Sequence, residues 1–285
     1  MNYNNLDNFK ENNFVWPLHL SIENEGLDPS EFSDQYFNFQ EEAKKKLGYE
    51  VSLKPNLLSK FFDKLCFNKN IINNVKKLIG NDIYIWSSAL FPKAPNEGKI
   101  VSFHQDNPYW QLSTNKVVTA WIALTTSDEF SGALQVVPGS AKKGLIKKID
   151  VENARESYLK GKKTTIQSDM LSYNQNLDDY MKKNPPVTLT MKPGEYSIHH
   201  IDTVHGSGVN NSKNYRIGFA IRYISSDTTH LIETQKDFAI HVSGEKNNYF
   251  VEEARPKDDF GKTEIAQHEL SMSSAGAFGN KKYVS

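Results

Sequence analysis

The chain has 285 residues, with 34 basic and 34 acidic side chains and aromatic residues at 12% of positions. Its zero net charge gives no support to a nucleic-acid-binding or membrane-surface protein, and its aromatic content excludes a low-complexity chain. The single cysteine, Cys66, excludes an intrachain disulfide framework and a cysteine-rich zinc site.

The first part of the chain, about residues 1–80, is predicted to be helical. Asp28 followed by proline is typical of a helix start, and apolar residues then recur at spacings of three and four up to a stop at Gly48. A second helical stretch is predicted over 57–78, with a break near Asn68. The N-terminus is polar and no apolar run approaches membrane-spanning length, so we expect a cytoplasmic protein with no membrane partner.

The middle of the chain, about 81–226, has the pattern of a mainly β domain. Short segments rich in β-branched and aromatic residues are separated by Pro, Gly and Asn, which favours a β-sandwich or barrel. These predicted strands are 83–91, 99–104, 117–124, 133–138, 187–191, 195–200 and 216–224. A polar, lysine-rich insertion over 141–186 is too long for a simple connection and is typical of a lid. No linker separates two domains, so we expect a single domain over 1–285, of undetermined oligomeric state.

Two histidines and an aspartate suggest a metal site. His104 and Asp106 end a predicted strand, and because residues i and i+2 point to the same side, their side chains can converge. His205 follows another predicted strand, in a loop rich in glycine and asparagine. Two imidazoles and one carboxylate on one face of a metal are characteristic of non-haem iron oxygenases. A surface His-x-Asp pair is the common alternative when the pattern stands alone.

Arg216 lies eleven residues after His205 and begins a predicted strand. A guanidinium can bind a carboxylate with two parallel hydrogen bonds. Gly218 and Ala220 share its strand face, and we expect their small side chains to leave space for a bound molecule. The opposite face of this strand is large and apolar and is expected to pack into the core.

Three blocks of sequence resemble the phytanoyl-CoA dioxygenase family of iron(II)/2-oxoglutarate oxygenases. They are FHQD (103–106), TAWIAL with SGALQVVPGS (119–140), and KPGEYSIHHIDTVHGSGVNNSKNYRIGFAIRY (192–223). The resemblance runs over roughly 56–223, with the blocks in the family order. It implies a double-stranded β-helix, a cupin-like jelly-roll core with added helices, in agreement with the strands predicted above.

The resemblance also implies roles for individual residues. The iron(II) ligands would be His104, Asp106 and His205. The 2-oxoglutarate site would comprise Arg216, which binds the distal carboxylate, Ser207, which assists that arginine, Trp121, which lines the site, and Lys93, which lies near it. Iron and 2-oxoglutarate would activate O₂ with release of succinate and CO₂. Asp106 favours hydroxylation, because family halogenases have a small residue there. Ala141 replaces a histidine usual in the family, at a position that is not a ligand.

The substrate is expected to be a small polar metabolite, and several flanking residues are candidates to bind it. They are Gln105, Asn107, Tyr109, Trp110, His200 and Arg222. Because adjacent strand residues face opposite ways, at most one of His199 and His200 can line the pocket. The alternatives are an acyl-CoA or aminophosphonate hydroxylase of the same family, a metal-dependent jelly-roll enzyme that does not use 2-oxoglutarate, and a non-catalytic binding protein.

Overall fold

The computed structural model describes residues 3–23, 25–110, 112–146, 169–171, 175, 177–231 and 237–274. Within these ranges, two β-sheets pack face to face and helices cover the outside of the larger sheet. This is the predicted jelly-roll with added helices. The α-helices are α1 Phe9–Asn12, α2 Phe32–Leu47, α3 Lys60–Cys66, α4 Lys69–Ile79, α5 Asn107–Trp110, α6 Asp178–Lys183 and α7 Lys262–Ser274. Short 3-10 helices span Leu6–Asn8, Pro29–Glu31, Pro55–Leu57 and Ser140–Lys143.

The boundaries of the N-terminal helices follow the predicted capping residues. The Asp28 side chain accepts a hydrogen bond from the Ser30 N–H at 2.9 Å and caps the short helix that leads into α2. Gly48 ends α2 with a φ of 84°, a left-handed conformation that glycine adopts without steric cost. Asn68 separates α3 from α4 and caps α4 through its side chain. These three predictions are confirmed.

The larger sheet has seven strands in the order β1-β7-β4-β9-β2-β10-β11. They are β1 Phe14–His19, β2 Ile83–Lys93, β4 Val117–Ala123, β7 Glu195–His200, β9 Arg216–Ser225, β10 Phe238–Ser243 and β11 Val251–Glu252. The prediction that the whole of 1–80 is helical is wrong for β1, which pairs with β7. Pro17 obscures this strand in the sequence, but a proline is tolerated because β1 is an edge strand and the pairing is irregular there.

The smaller sheet has four strands in the order β3-β8-β5-β6. They are β3 Val101–His104, β5 Leu134–Val136, β6 Val187–Thr188 and β8 His205–Ser207. All of their pairings are antiparallel. The strand predicted over 187–191 is shorter than expected, although the Leu189 N–H also donates to the Leu134 carbonyl of β5 at 2.8 Å.

Alternation along β9 separates the core from the interior between the sheets. Ile217, Phe219, Ile221 and Tyr223 point outward into the main hydrophobic core, which the N-terminal helices complete. Arg216, Gly218, Ala220 and Arg222 have the opposite parity and face the smaller sheet. The prediction that one face of this strand is apolar and packs into the core is confirmed.

Beyond residue 226 the chain continues the same sheet, because β10 pairs with β2. In the insertion predicted over 141–186, residues 147–168, 172–174 and 176 lie outside the described residues. Among the helices that are described, none is long and apolar enough to cross a membrane.

Candidate metal centre

His104, Asp106 and His205 are brought together by the pairing of β3 with β8. His104 ends β3, His205 begins β8, and the two residues are Cα partners in this antiparallel pair. Asp106 follows β3, and its backbone N–H donates to the Ile201 carbonyl at 3.1 Å. One ligand atom from each of the three side chains lies within 4.8 Å of the others, and all three residues are buried. The expected convergence of these residues is therefore present.

The two imidazoles present the same nitrogen towards Asp106. Nε2 of His104 and Nε2 of His205 lie 3.3 and 3.9 Å from Oδ1 of Asp106. Nδ1 of His104 lies 2.8 Å from the Ser102 carbonyl oxygen, and Nδ1 of His205 lies 2.9 Å from that of Thr203. Because each Nδ1–H donates to a carbonyl, each Nε2 keeps its lone pair for a metal ion.

Electrostatics favour the ligating forms of these groups. Burial and the neighbouring His104 lower the pKa of His205 to about 4, with Asp106 opposing them in part, so the ring is neutral at pH 7. Burial raises the pKa of Asp106, but the two histidines outweigh it and hold this pKa well below its ordinary value. Two imidazole nitrogens and a carboxylate fit a divalent transition metal and leave further coordination positions open.

Arg216 forms a second functional feature at the start of β9. It is 2% exposed, and its Nη1 donates to the Phe91 carbonyl at 3.2 Å. Its Nε and Nη2 have no hydrogen-bond partner within the described part of the chain. The guanidinium carbon lies 5.6 Å from the ring centroid of Trp121. Burial lowers the pKa of Arg216 to about 10, so it remains a cation with unsatisfied donors, a fit for a carboxylate.

Lys93 lies beside Arg216 and is bonded to the strand that carries His205. Its Nζ donates to Ser207 Oγ at 2.7 Å, to the Ser207 carbonyl at 3.2 Å and to the Gly208 carbonyl. Burial and the nearby Arg216 lower the pKa of Lys93 to about 6. Ser207, expected to assist Arg216, is thus bonded to Lys93.

Trp121 occupies the space beside Gly218. A Cβ at Gly218 would lie 1.9 Å from Cζ2 of Trp121, so the indole requires the absence of a side chain there. The expectation that the small residue beside Arg216 leaves room for a bound molecule is corrected, because Trp121 fills that room. The indole thereby forms a wall under the guanidinium.

Two predicted substrate residues are engaged with other parts of the protein. The Gln105 amide N–H groups donate to the Gly144 and Asp202 carbonyls at 2.8 and 2.7 Å, and its Oε1 accepts from the Ile146 N–H at 2.9 Å. Asn107 Nδ2 donates to the Asp202 carboxylate at 3.0 Å. The side chain of Gln105 therefore ties the start of the 141–186 insertion to the metal-bearing segment instead of pointing to a substrate.

Of the other predicted substrate residues, Tyr109 and Arg222 lie near the metal ligands, and Trp110 packs against Arg222. The Tyr109 ring lies edge-on to His104 at a centroid separation of 5.7 Å. Arg222 is 6% exposed, and its guanidinium carbon lies 5.2 Å from the Trp110 ring centroid. Burial lowers the pKa of Arg222, while Asp106 raises it. These residues remain candidates for substrate binding.

His199, rather than His200, faces the site. Its ring centroid lies 4.6 Å from that of His205 and the side chain is 1% exposed. His200 is half-buried on the opposite strand face, where its Nδ1 accepts from the Asp202 N–H at 3.1 Å. The substrate role expected for His200 is thus not supported by its orientation. The alternation of β7 indicates that only one histidine points inward, but the sequence alone does not show which.

Comparison with known proteins agrees with this geometry. The family model for phytanoyl-CoA dioxygenase (PhyH) matches residues 29–218. A probable phytanoyl-CoA dioxygenase of Caenorhabditis elegans is 25% identical over 177 residues, which is 60% of this chain and 53% of that protein. A probable alpha-ketoglutarate-dependent hypophosphite dioxygenase of Stutzerimonas stutzeri is 26% identical, covering 62% of this chain and 58% of that protein.

The fold also matches solved structures over nearly its whole length. The apo structure of the non-heme monooxygenase ThoJ superposes with a TM-score of 0.75 at 21% identity and covers 95% of both chains. This likeness concerns the fold alone. The chain spans about half the length of the curated relatives it matches.

Proposed function

Because the chain belongs to the phytanoyl-CoA dioxygenase family, we propose that it is an Fe(II)- and 2-oxoglutarate-dependent dioxygenase that hydroxylates a small polar metabolite. His104, Asp106 and His205 would hold the Fe(II). Fe(II) with bound 2-oxoglutarate would supply O₂ activation, with release of succinate and CO₂. The protein's own contribution is to hold these groups, exclude water and position the substrate.

The observation that carries this proposal is the buried Arg216 guanidinium, whose hydrogen-bond donors are only partly satisfied by the described residues. Arg216 keeps two N–H groups without a partner in the described residues, and Lys93 lies directly opposite it in the sheet. An unsatisfied buried cation is costly, so the site is complementary to an anion that enters it. The distal carboxylate of 2-oxoglutarate fits this requirement, since the other end of the molecule would lie at the metal.

The residues around the ligands support a small polar substrate. Arg222 is another buried cation and interacts electrostatically with Asp106, and the ring of Trp110 packs against its guanidinium. Tyr109 adds an aromatic wall against His104. A polar or anionic group of the substrate would pair with Arg222, while its carbon atoms pack on the two rings.

The direct test measures binding of 2-oxoglutarate to the Fe(II)-loaded protein in the absence of oxygen. The visible charge-transfer band of the chelate reports the binding. We expect the wild-type protein to give this band. The Arg216→Met variant should need a much higher concentration of 2-oxoglutarate to reach the same band intensity. Succinate formation would then be measured across a panel of small polar metabolites, aminophosphonates and acyl-CoA thioesters. If the Fe(II) protein does not bind 2-oxoglutarate, the proposal is overturned in favour of a metal-dependent jelly-roll enzyme of another kind.

A further inference from the structure

Three buried polar side chains on the inner face of the large sheet have no hydrogen-bond partner within the described part of the chain. They are the Thr119 hydroxyl, the Ser197 hydroxyl and both ring nitrogens of His199. The three residues are 3%, 0% and 1% exposed. Buried polar groups are nearly always satisfied in folded proteins, so three together require a partner from outside the described chain, such as water or a bound ligand. We call these three residues the polar strip.

The polar strip lies between the metal ligands and the Arg216 site. Thr119 is the Cα partner of His199 across β4 and β7, and Trp121 is the partner of Ser197. Trp121 lies under the Arg216 guanidinium at one end. His199 contacts the His205 ring at the other end. A molecule that reaches from Arg216 to the metal therefore passes along the polar strip.

His199 does not complete the metal site as a fourth protein ligand. Among the described residues, only His104, Asp106 and His205 place ligand atoms within 4.8 Å of one another. Both ring nitrogens of His199 lack a partner in the described residues, and an imidazole carries at least one N–H donor in either protonation state. Its position suits a contact to a molecule that the metal holds.

We infer that the polar strip binds the 2-oxo-carboxylate end of the cosubstrate, with His199 as a positioning residue that donates its ring N–H to a carboxylate oxygen there. This inference rests on the proposed function and adds a second recognition point for 2-oxoglutarate, separate from Arg216. Thr119 and Ser197 supply further hydroxyl donors along the same path. The arrangement fixes the oxo-acid end relative to the metal, while Arg216 fixes the distal end.

The test compares two ligands that share the 2-oxo-carboxylate end. 2-Oxoglutarate has the distal carboxylate and pyruvate does not. Dissociation constants of both would be measured without oxygen on Fe(II)-saturated protein, using the charge-transfer band. His199→Phe keeps a ring of similar size but loses the donor, and is expected to weaken both ligands about tenfold or more, the value of a hydrogen bond to a charged group. Arg216→Met is expected to weaken 2-oxoglutarate and leave pyruvate unchanged.

Two further variants control for indirect effects. His199→Gln retains an N–H donor and is expected to restore most of the affinity. His241→Phe makes the same exchange on β10, where Nε2 of His241 contacts the Gly244 carbonyl outside the metal centre, and is expected to leave both constants unchanged. The Fe(II) dissociation constant of each variant would be measured separately.

The outcomes separate this inference from the proposed function. Failure of wild type to bind 2-oxoglutarate overturns the proposed function and the inference with it. If wild type binds and His199→Phe binds both ligands equally well, the inference alone is overturned. A His199→Phe protein that loses affinity only for Fe(II) also overturns it, because His199 would then merely support His205.

Discussion

Lys93 and Arg216 are Cα partners on β2 and β9, so two buried basic side chains lie directly opposite each other in the sheet. Like charges in this position repel and destabilise a sheet. Burial, and then repulsion from Arg216, lower the pKa of Lys93 to about 6, and its Nζ donates to the hydroxyl and carbonyl of Ser207. The distal carboxylate that we propose for this site would neutralise part of the positive charge. In the protein without 2-oxoglutarate, the low pKa of Lys93 makes the stability depend on pH.

The first prediction concerns the pH dependence of stability. The pKa of Lys93 is about 6 in the folded protein, whereas an unperturbed lysine, as in the unfolded chain, has a pKa of 10.5. Between these values the unfolded chain binds a proton that the folded chain does not, so stability rises with pH, by at most about 1.4 kcal/mol per pH unit. Lys93→Met should flatten this rise. Urea unfolding of the two metal-free proteins at pH 7 and 8 measures the change in unfolding free energy with pH. An equal change in wild type and Lys93→Met would contradict the assigned pKa.

The second prediction concerns recognition of the distal carboxylate. Arg216→Lys keeps the charge but loses the planar, two-pronged geometry. The Michaelis constant for 2-oxoglutarate should rise about tenfold or more, because truncating one partner of a buried charged pair costs about 2–5 kcal/mol. Steady-state kinetics at saturating Fe(II) measure the change. An unchanged constant in Arg216→Ala would mean that the arginine serves the fold only.

The third prediction concerns metal dependence. His205→Ala removes one of three ligands and should abolish turnover and lower Fe(II) content while the fold survives. Metal analysis and circular dichroism would be compared with His241→Ala, a histidine exchange outside the site. Normal turnover by His205→Ala would refute the assignment of the metal ligands.

The fourth prediction concerns the wall under Arg216. Gly218→Ala would place a methyl group against Trp121, where the structure has no room for it. Overpacking of this kind costs about 1–3 kcal/mol of stability. The displaced indole should also weaken 2-oxoglutarate binding, while Ala220→Gly on the same strand face serves as the matched control. Chemical unfolding and anaerobic 2-oxoglutarate titration measure the two effects. Unaltered 2-oxoglutarate affinity in Gly218→Ala would show that Trp121 does not shape this site.

The fifth prediction concerns the insertion over 141–186, which we propose closes over the substrate. Gln105 bonds to Gly144 and Ile146 at its start. Gln105→Ala should therefore raise hydrogen exchange around 144–146 in the resting protein. In wild type, adding a verified substrate to the Fe(II)/2-oxoglutarate complex should increase protection of this segment, because closure excludes water from the oxidising site. Unchanged exchange on substrate addition would end the lid proposal and leave the oxygenase assignment intact.

Local features of the chain were predictable because their causes are local. Asp28 and Asn68 cap helices through their own neighbouring backbone, and Gly48 ends α2 because glycine tolerates the left-handed conformation. The alternation of β9 likewise follows from strand geometry. The spacing of His104 and Asp106 indicated that they converge, and the structure places their ligand atoms 3.3 Å apart.

Long-range pairings were decided by the tertiary structure alone. The sequence determined which residues have metal-ligating, cationic and strand-forming chemistry, since these are properties of side-chain type and spacing. The inward orientation of His199, the bonding of Ser207 to Lys93 and the filling of the Gly218 gap by Trp121 depend on which strands pair and in which register. A shift of one residue in register exchanges the two faces of a strand, and only the packing of the whole jelly-roll selects one of them.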